Sequence, residues 1–380
     1  MDKLSLVLDI GTTGIKALLF NSTGEIVNKA YKTIGKTFPQ PGWVEQDPHE
    51  ILSVSQSVMQ EVCSDIDINH VIGMGVTNQR ETTILWDKLS GKPIYPAIVW
   101  EDARTKDYCE QIKKGHENTI NNKTGLTSDS YFSASKINWI LTNVPVTENL
   151  LFGTVDTWIL WNLCKNKPHL TDCTNASRTL LYNIQKGEWD NELLEIFQIP
   201  KTILPDVLPS QGAFGELTED LLGKSIPVIA VAGDQQSSLY AAGTTTGTTK
   251  VTYGTGAFLV QVLGNEFVRH EPFFTTLVPD KDCHLYAIEA KVAECGSRVT
   301  EALSEPIRLR QVLTDIAKEV DVYIKKLPTK PTSITIDGGA VRDGILKEVQ
   351  EEVSKIPIIQ QDPFDGTALG ISKLIFDQLN

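Results

Sequence analysis

Residues 4–20, LSLVLDIGTTGIKALLF, decide the fold of this chain. The runs at 4–8 and 16–20 have the apolar character of short strands, and the turn Gly-Thr-Thr-Gly at 11–14 lies between them. A third strand-like run at 25–31 follows the turn Ser-Thr-Gly at 22–24. The sequence therefore predicts that the chain begins with a β-meander of three short strands.

A helix and two buried strands are predicted further along the first half. Asp47 is a candidate helix N-cap, and Pro48 suits the first turn that follows it. Apolar residues then recur at helical spacing over 51–62, which indicates an amphipathic helix. Short apolar runs at 71–76 and 227–232 indicate strands in the interior of a sheet.

The second half of the chain repeats the same order of elements. Its patterns predict strands at 250–253, 258–263, 284–289, 333–336 and 358–360, and helices at 309–327, 343–355 and 366–379. The order βββαβαβα is that of a minimal ribonuclease-H-like domain of the actin type. We therefore expect an α/β protein with two ribonuclease-H-like (actin/hexokinase-type) domains flanking a cleft, at 1–245 and 246–380, the second of minimal size. A long insertion over about 100–209 in the first domain is expected to carry specificity.

Composition excludes several classes of function. The chain has 380 residues, of which 41% are hydrophobic and 22% charged, and no apolar run approaches the length of a membrane span. The net charge of -13 disfavours a sequence-independent nucleic-acid binder, which needs a basic surface. The six cysteines form no CxxC pair, so reduced structural thiols are expected. The first residues show no signal-peptide pattern, and we expect a cytoplasmic protein without membrane or nucleic-acid partners.

Turns rich in glycine and threonine occur in both halves and are candidate phosphate sites. Glycine lets backbone amides approach a phosphate, and threonine adds a hydroxyl donor, at 11–14 and again at 254–256. Asp9 precedes the first turn and is a candidate ligand of Mg²⁺, directly or through water. One such turn is ordinary hairpin chemistry. Two in matching positions, with a third glycine turn at 337–340, favour nucleotide binding.

Polar residues follow two predicted strands at the end where ligands bind in α/β folds. Arg80 and Glu81 offer donors and acceptors that suit the hydroxyls of a polyol, although such a dipeptide is more often a solvated surface pair. Asp234 is a candidate general base for phosphoryl transfer, and on its motif alone it is equally a helix N-cap. Trp100 and Tyr131 are candidate walls of a polyol site, although each is more often a core aromatic.

Ordered blocks along the chain resemble the FGGY family of carbohydrate kinases and, within it, the glycerol kinases. The matching blocks are residues 9–16, 41–48, 77–83, 91–95, 98–100, 131–140, 151–158, 174–179, 233–236 and 253–256. They cover the chain to about residue 290, and the resemblance resumes at 336–340 and 367–370. So many matches in the same order are specific.

The resemblance implies a role for each matched residue. Glycerol would be held by Arg80, Glu81, Tyr131, Asp234 and Gln235, with Trp100 as its apolar wall and Asp234 as the general base. The ATP nucleotide would be bound by Thr12, Thr13, Gly14, Lys16, Thr255, Gly296, Gly339 and Asp343, with Mg²⁺ at Asp9.

Four departures from the family pattern are visible. Lys16 stands where arginine is usual. It keeps the positive charge but lacks the planar fork of donors that a guanidinium group offers to a phosphate. Thr300 replaces a glutamine and Asp343 an asparagine, both at nucleotide positions. A long stretch between about 292 and 307 is absent, so we expect a shallow adenosine pocket and do not assume the family's regulatory and oligomer surfaces.

Three hypotheses follow. The first is MgATP-dependent phosphorylation of glycerol to glycerol 3-phosphate. The second keeps the kinase and changes the acceptor to another small sugar, such as a pentulose. The third is a glycerol-binding sensor or partner subunit with impaired catalysis. Each hypothesis leaves open whether the protein forms a homo-oligomer.

Overall fold

The computed structural model describes residues 3–254, 256–341, 344–361 and 365–379. The chain folds as two compact units: unit 1 comprises Met1–Asp234, Pro279–Cys283 and Ile371–Asn380, and unit 2 comprises Gln235–Val278 and His284–Gly370. The predicted α/β class is confirmed, since each unit combines helices with a six-stranded sheet. Within these described ranges, every helix is too short or too polar to cross a bilayer.

Unit 1 holds most of the regular structure. Its elements in chain order are β1 (Leu4–Ile10), β2 (Gly14–Asn21), β3 (Ile26–Thr33), β4 (Glu45–Gln46), α1 (Pro48–Cys63), β5 (Val71–Asn78), β6 (Ile84–Asp87), β7 (Ala97–Ile98), α2 (Lys106–Thr124), α3 (Ser133–Asn143), β8 (Leu150–Gly153), α4 (Val155–Leu163), β9 (Leu170–Asp172), α5 (Cys173–Ala176), β10 (Tyr182–Asn183), β11 (Glu188–Trp189), α6 (Asn191–Phe197), β12 (Asp206–Leu208), β13 (Gln211–Glu216), α7 (Glu219–Leu222) and β14 (Pro227–Gly233).

The main sheet of unit 1 has the strand order β13-β14-β5-β1-β2-β3. Strand β1 is antiparallel to β2 and parallel to β5, and β14 is parallel to β5. All seven residues of β1 are buried, since β1 lies inside the sheet between β5 and β2 and α1 packs against it. The meander predicted at the start of the chain is confirmed.

The start of α1 is set by the sequence signal identified above. The Asp47 carboxylate accepts a hydrogen bond of 2.8 Å from the amide of His49, and Pro48 lies in the first turn. Such a cap satisfies one of the amides left without a partner at a helix start. Ile51, Val58 and Met59 then pack in the core beside β1. The predicted amphipathic helix is confirmed.

Unit 2 carries the second main sheet. Its elements are α8 (Asp234–Ala242), which begins at the last residue of the first segment of unit 1, then β15 (Thr249–Tyr253), β16 (Gly256–Gly264), β17 (Phe274–Leu277), β18 (Tyr286–Glu294), α9 (Gly296–Ala302), α10 (Pro306–Ile324), β19 (Ile334–Asp337), α11 (Ile345–Ser354), β20 (Ile358–Gln360) and α12 (Gly366–Leu379), whose second part belongs to unit 1.

The sheet of unit 2 has the order β17-β18-β16-β15-β19-β20. The five strands and three helices predicted for this half are all present, with end differences of a few residues. Strand β17 was not predicted. It is a four-residue edge strand, and its FTTL sequence has no clear apolar alternation.

The expectation of reduced thiols is wrong for two of the six cysteines. Cys173 and Cys283, which are 110 residues apart, form a disulfide. Their proximity follows from the path of the chain, which no spacing pattern reveals. The remaining cysteines are free and buried; they are Cys63, Cys109, Cys164 and Cys295.

Candidate active site

Three parallel strands of unit 1 end side by side and carry the polar residues singled out above. The register pairs Ile10 of β1 with Asn78 of β5, and Asn78 with Gly233 of β14. The segments that leave these strands therefore start at one edge of the sheet. This edge is where ligands bind in α/β folds. It receives the turn at 11–14, the segment 79–81 and Asp234.

Arg80 joins the two acidic side chains at this edge. Its Nε atom lies 3.2 Å from Asp234 Oδ1 and 3.9 Å from Glu81 Oε1. The side chains of Arg80 and Glu81 are only 2% and 1% exposed, whereas that of Asp234 is 32% exposed. The Arg-Glu dipeptide is therefore no solvated surface pair. Arg80 orients an Asp234 carboxylate that still reaches solvent.

Two aromatic residues border this group of charges. Tyr131 accepts a 3.4 Å hydrogen bond at its hydroxyl from Arg80 Nη2. The Trp100 and Tyr131 rings meet edge to face with centroids 5.5 Å apart, a favoured geometry for aromatic pairs. Both residues are only half-buried, unlike core aromatics. They give the site an apolar side next to its charged side.

The segment that carries Tyr131 is held by Lys136, one turn into α3. The Lys136 ammonium donates to the carbonyls of Ser130, Tyr131 and Phe132, at 2.6, 2.8 and 3.3 Å. Burial lowers the pKa of Lys136 to about 8, and nearby carboxylates, Glu81 most strongly, oppose this shift. Sequence reasoning gave this residue no role.

The turn at 11–14 is fixed by hydrogen bonds. The amide of Gly11 donates to the carbonyl of Gly14 at 3.0 Å, and Gln46 Nε2 donates to the carbonyl of Thr12 at 2.9 Å. The indole of Trp100 donates to Thr12 Oγ1 at 2.9 Å. A Cβ atom on Gly14 would lie 2.5 Å from the ring of the exposed Tyr31, which would have to move aside for a larger residue. Thr13, the remaining residue of the turn, is exposed.

Asp9 and Lys16 form a pair at the base of this turn. Lys16 Nζ lies 3.5 Å from Asp9 Oδ2, and the strand register places the two residues opposite each other. The Lys16 side chain is 31% exposed and that of Asp9 10%. Over the described ranges, no three histidine, cysteine or acidic side chains are grouped to hold a metal ion. Asp9 could hold Mg²⁺ as a single carboxylate, since this ion usually takes further ligands from phosphates and water.

Arg178 is a residue of this region that sequence reasoning did not assign. Its Nε atom donates to Glu81 Oε1 at 2.6 Å, and its side chain is fully buried. It lies in the TNASRT block at 174–179, which was matched to the family without a role for the arginine. The available signal was an arginine within a block of polar residues that matches the family.

The remaining predicted residues belong to unit 2. Gln235 is buried in α8, Gly296 begins α9, and Gly339 lies in the turn after β19. Thr255 and Asp343 lie outside the described residues.

The glycine turn of unit 2 follows a buried ion pair. Asp337 accepts from Lys250 Nζ at 2.5 Å and from the Ser238 hydroxyl at 2.7 Å. The next residue, Gly338, has φ +101°. The turn at 337–340 is thus held at its first residue and needs glycine at its second.

This chain is similar to known carbohydrate kinases. Residues 4–241 match the N-terminal domain of the FGGY family of carbohydrate kinases. Glycerol kinase 1 of Clostridium tetani is 46% identical over 311 residues, covering 79% of this chain and 62% of that protein. A glycerol kinase of Saccharolobus islandicus is 36% identical over 439 residues, covering 98% and 87%. This alignment is longer than the 380-residue chain, so the relative contains segments that the chain lacks.

Solved structures give the same result. The crystal structure of Plasmodium falciparum glycerol kinase with ADP matches with a TM-score of 0.91 and 26% identity, over 100% of this chain and 90% of that one. Gluconate kinase from Lactobacillus acidophilus, at 18% identity and a TM-score of 0.88, shares the fold. The family model covers more than half of the chain, and the sequence relatives exceed 30% identity. The chain therefore belongs to the FGGY family of carbohydrate kinases.

Proposed function

We propose that this protein phosphorylates glycerol at a terminal hydroxyl, with MgATP as the phosphoryl donor. The observation that carries the proposal is the Arg80–Asp234 pair at the strand ends, in which a buried guanidinium orients a partly exposed carboxylate. The glycerol kinases among its relatives support glycerol as the acceptor. The chain spans only 62% of the length of the Clostridium relative, so activity has to be tested directly.

Asp234 acts as the general base in this proposal. It accepts the proton of the attacking hydroxyl as the oxygen approaches phosphorus. Arg80 and Glu81 bind the hydroxyls of glycerol through donors and acceptors in fixed positions. Tyr131 adds a hydroxyl, and the ring of Trp100 packs against the carbon chain. Gln235 completes the set of glycerol ligands.

The nucleotide phosphates are bound by Thr12, Thr13 and Gly14, with Lys16 balancing their charge. When bound at Asp9, Mg²⁺ supplies charge neutralisation to the transferring phosphoryl group. Thr255, Gly296, Gly339 and Asp343 provide the remaining nucleotide contacts. We place the reaction in the cytoplasm, where ATP is available.

The substitution Asp234→Asn tests the role of the base. We expect kcat to fall about 10²- to 10⁴-fold, the usual contribution of general base catalysis. Calorimetric binding of glycerol should change little, because asparagine keeps the shape of the side chain. The control is Asp206→Asn, at an exposed position of β12, which should keep wild-type kinetics. Full turnover by Asp234→Asn refutes the assignment, and loss of glycerol binding shows that Asp234 is structural.

The acceptor and donor are tested on the wild-type protein. Glycerol and a pentulose are compared as acceptors, each with ATP, ADP and polyphosphate as donors. We expect the highest kcat/KM with glycerol and ATP. A higher value for the pentulose supports the alternative kinase. Glycerol binding without any turnover or nucleotide binding supports the sensor.

A further inference from the structure

Arg178 is a fully buried cation behind the proposed glycerol site, and the mechanism above does not use it. Its Nε atom donates to Glu81 Oε1 at 2.6 Å. Its guanidinium also lies 5.0 Å from the ring centroid of Phe132 and 5.6 Å from that of Tyr131. Arg178 therefore forms an ion pair with Glu81 and packs against the segment that carries Tyr131.

The backbone around Arg178 is fixed by the short helix α5 and its neighbours. The Asp172 carboxylate accepts from the amides of Thr174 and Asn175, at 3.0 and 2.9 Å. Asn175 and Asn78 exchange side-chain amide hydrogen bonds of 3.1 and 3.2 Å, which ties α5 to the end of β5. The amide of Arg178 donates to the carbonyl of Asn175 at 3.0 Å. The guanidinium is therefore preorganised by contacts that do not involve ligand.

The charges at the site alternate along a chain of side chains. Arg80 interacts with both carboxylates, because its Nε atom lies 3.2 Å from Asp234 Oδ1 and 3.9 Å from Glu81 Oε1. Arg178 lies closer to Glu81 than Arg80 does, at 2.6 Å. A buried carboxylate that loses its counter-charge turns to the next cation. Without Arg178, Glu81 would compete with Asp234 for Arg80.

We propose that Arg178 is a positioning residue that holds the Glu81 carboxylate in place and leaves Arg80 to orient Asp234. The inference rests on the proposed function, because glycerol is the ligand that Glu81 and Arg80 would bind. It adds a residue placed 97 positions from Glu81 in the chain.

Steady-state kinetics and glycerol calorimetry on Arg178→Met and Arg178→Lys test the proposal. For Arg178→Met we expect the KM and Kd for glycerol to rise about 10- to 100-fold, as when the partners behind metal-ligating side chains are removed. The KM for ATP should stay within about twofold. Arg178→Lys keeps the charge without the planar fork, so it should recover part of the loss.

The matched control is Arg104→Met. Arg104 is equally buried in unit 1 and pairs with Glu45 and Asp102 at 2.7 and 2.8 Å. The Arg104→Met variant should be less stable than the wild type. The glycerol KM of its folded fraction should be unchanged. Equal effects of both substitutions on the glycerol KM, or no recovery by Arg178→Lys, overturn the inference.

A structural readout separates this inference from the proposed function. In a crystal structure of Arg178→Met we expect Glu81 Oε1 within hydrogen-bond distance of Arg80 Nε and a longer Arg80–Asp234 distance. Glu81 and Asp234 in their original positions would overturn the positioning role. A wild-type protein that neither binds nor phosphorylates glycerol refutes the proposed function instead, and the same crystal structure still decides the role of Arg178.

Discussion

Replacing Lys136 by methionine removes the buried ammonium that holds three successive carbonyls, those of Ser130, Tyr131 and Phe132. Methionine fills a similar volume but donates no hydrogen bond. A carbonyl left buried without a partner costs about 1–3 kcal/mol. The contacts to the Ser130 and Tyr131 carbonyls are only part-buried, and removing the buried charge offsets part of the loss. We expect a net loss of about 1–3 kcal/mol in the free energy of unfolding at pH 7.

The pH dependence of this loss has a definite sign. Burial lowers the pKa of Lys136 from 10.5 to about 8 in the folded state. Between pH 8 and 10.5 the unfolded chain therefore binds a proton that the folded chain has released, and folding stability rises with pH. At about 1.4 kcal/mol per pH unit, the whole window corresponds to about 3 kcal/mol. The variant lacks this gain, so the difference between wild type and Lys136→Met should grow above pH 8.

Urea unfolding of both proteins at pH 7, 8, 9 and 10 measures this difference in the free energy of unfolding. The contributions of other titrating groups cancel when the two proteins are compared at the same pH. The glycerol KM of Lys136→Met at pH 7 should also rise, since the Tyr131 segment loses its anchor. A stability difference that stays flat or shrinks between pH 8 and 10 would refute the reasoning. It would show that the ammonium is not significantly desolvated in the folded protein.

Two further predictions concern stability. Burial, reinforced by neighbouring Asp172, raises the pKa of Asp156 to about 7, so the stability contributed by its protonated form is lost as pH rises from about 4 to 7. Relative to Asp156→Asn, the wild type should lose up to about 4 kcal/mol across that window in urea unfolding, and parallel curves would contradict this. Gly338→Ala places a Cβ atom 2.4 Å from the carbonyl oxygen of Tyr253 at φ +101°, so it should cost about 2–4 kcal/mol. Gly115→Ala, with open space around it in α2, is the matched control, and equal unfolding midpoints for the two alanine variants would contradict the steric argument.

Much of the architecture follows from local patterns. The Asp47 cap, the helical spacing over 51–62 and the strand runs beside the glycine turns each depend on residues close together in the chain. Polar residues directly after buried strands likewise indicated the edge at which Arg80 and Asp234 lie. Local periodicity and turn chemistry are sufficient for such predictions, because hydrogen bonding within an element and burial of one face act over a few residues.

The tertiary structure alone decided which distant groups meet. Arg178 pairs with Glu81 across 97 positions, and Cys173 pairs with Cys283 across 110. The path of the folded chain brings these segments together, and no spacing in the sequence encodes that path. Burial then decides their chemistry: an Arg-Glu dipeptide that looks solvated in the sequence becomes a desolvated charge network, because the fold removes water from around it.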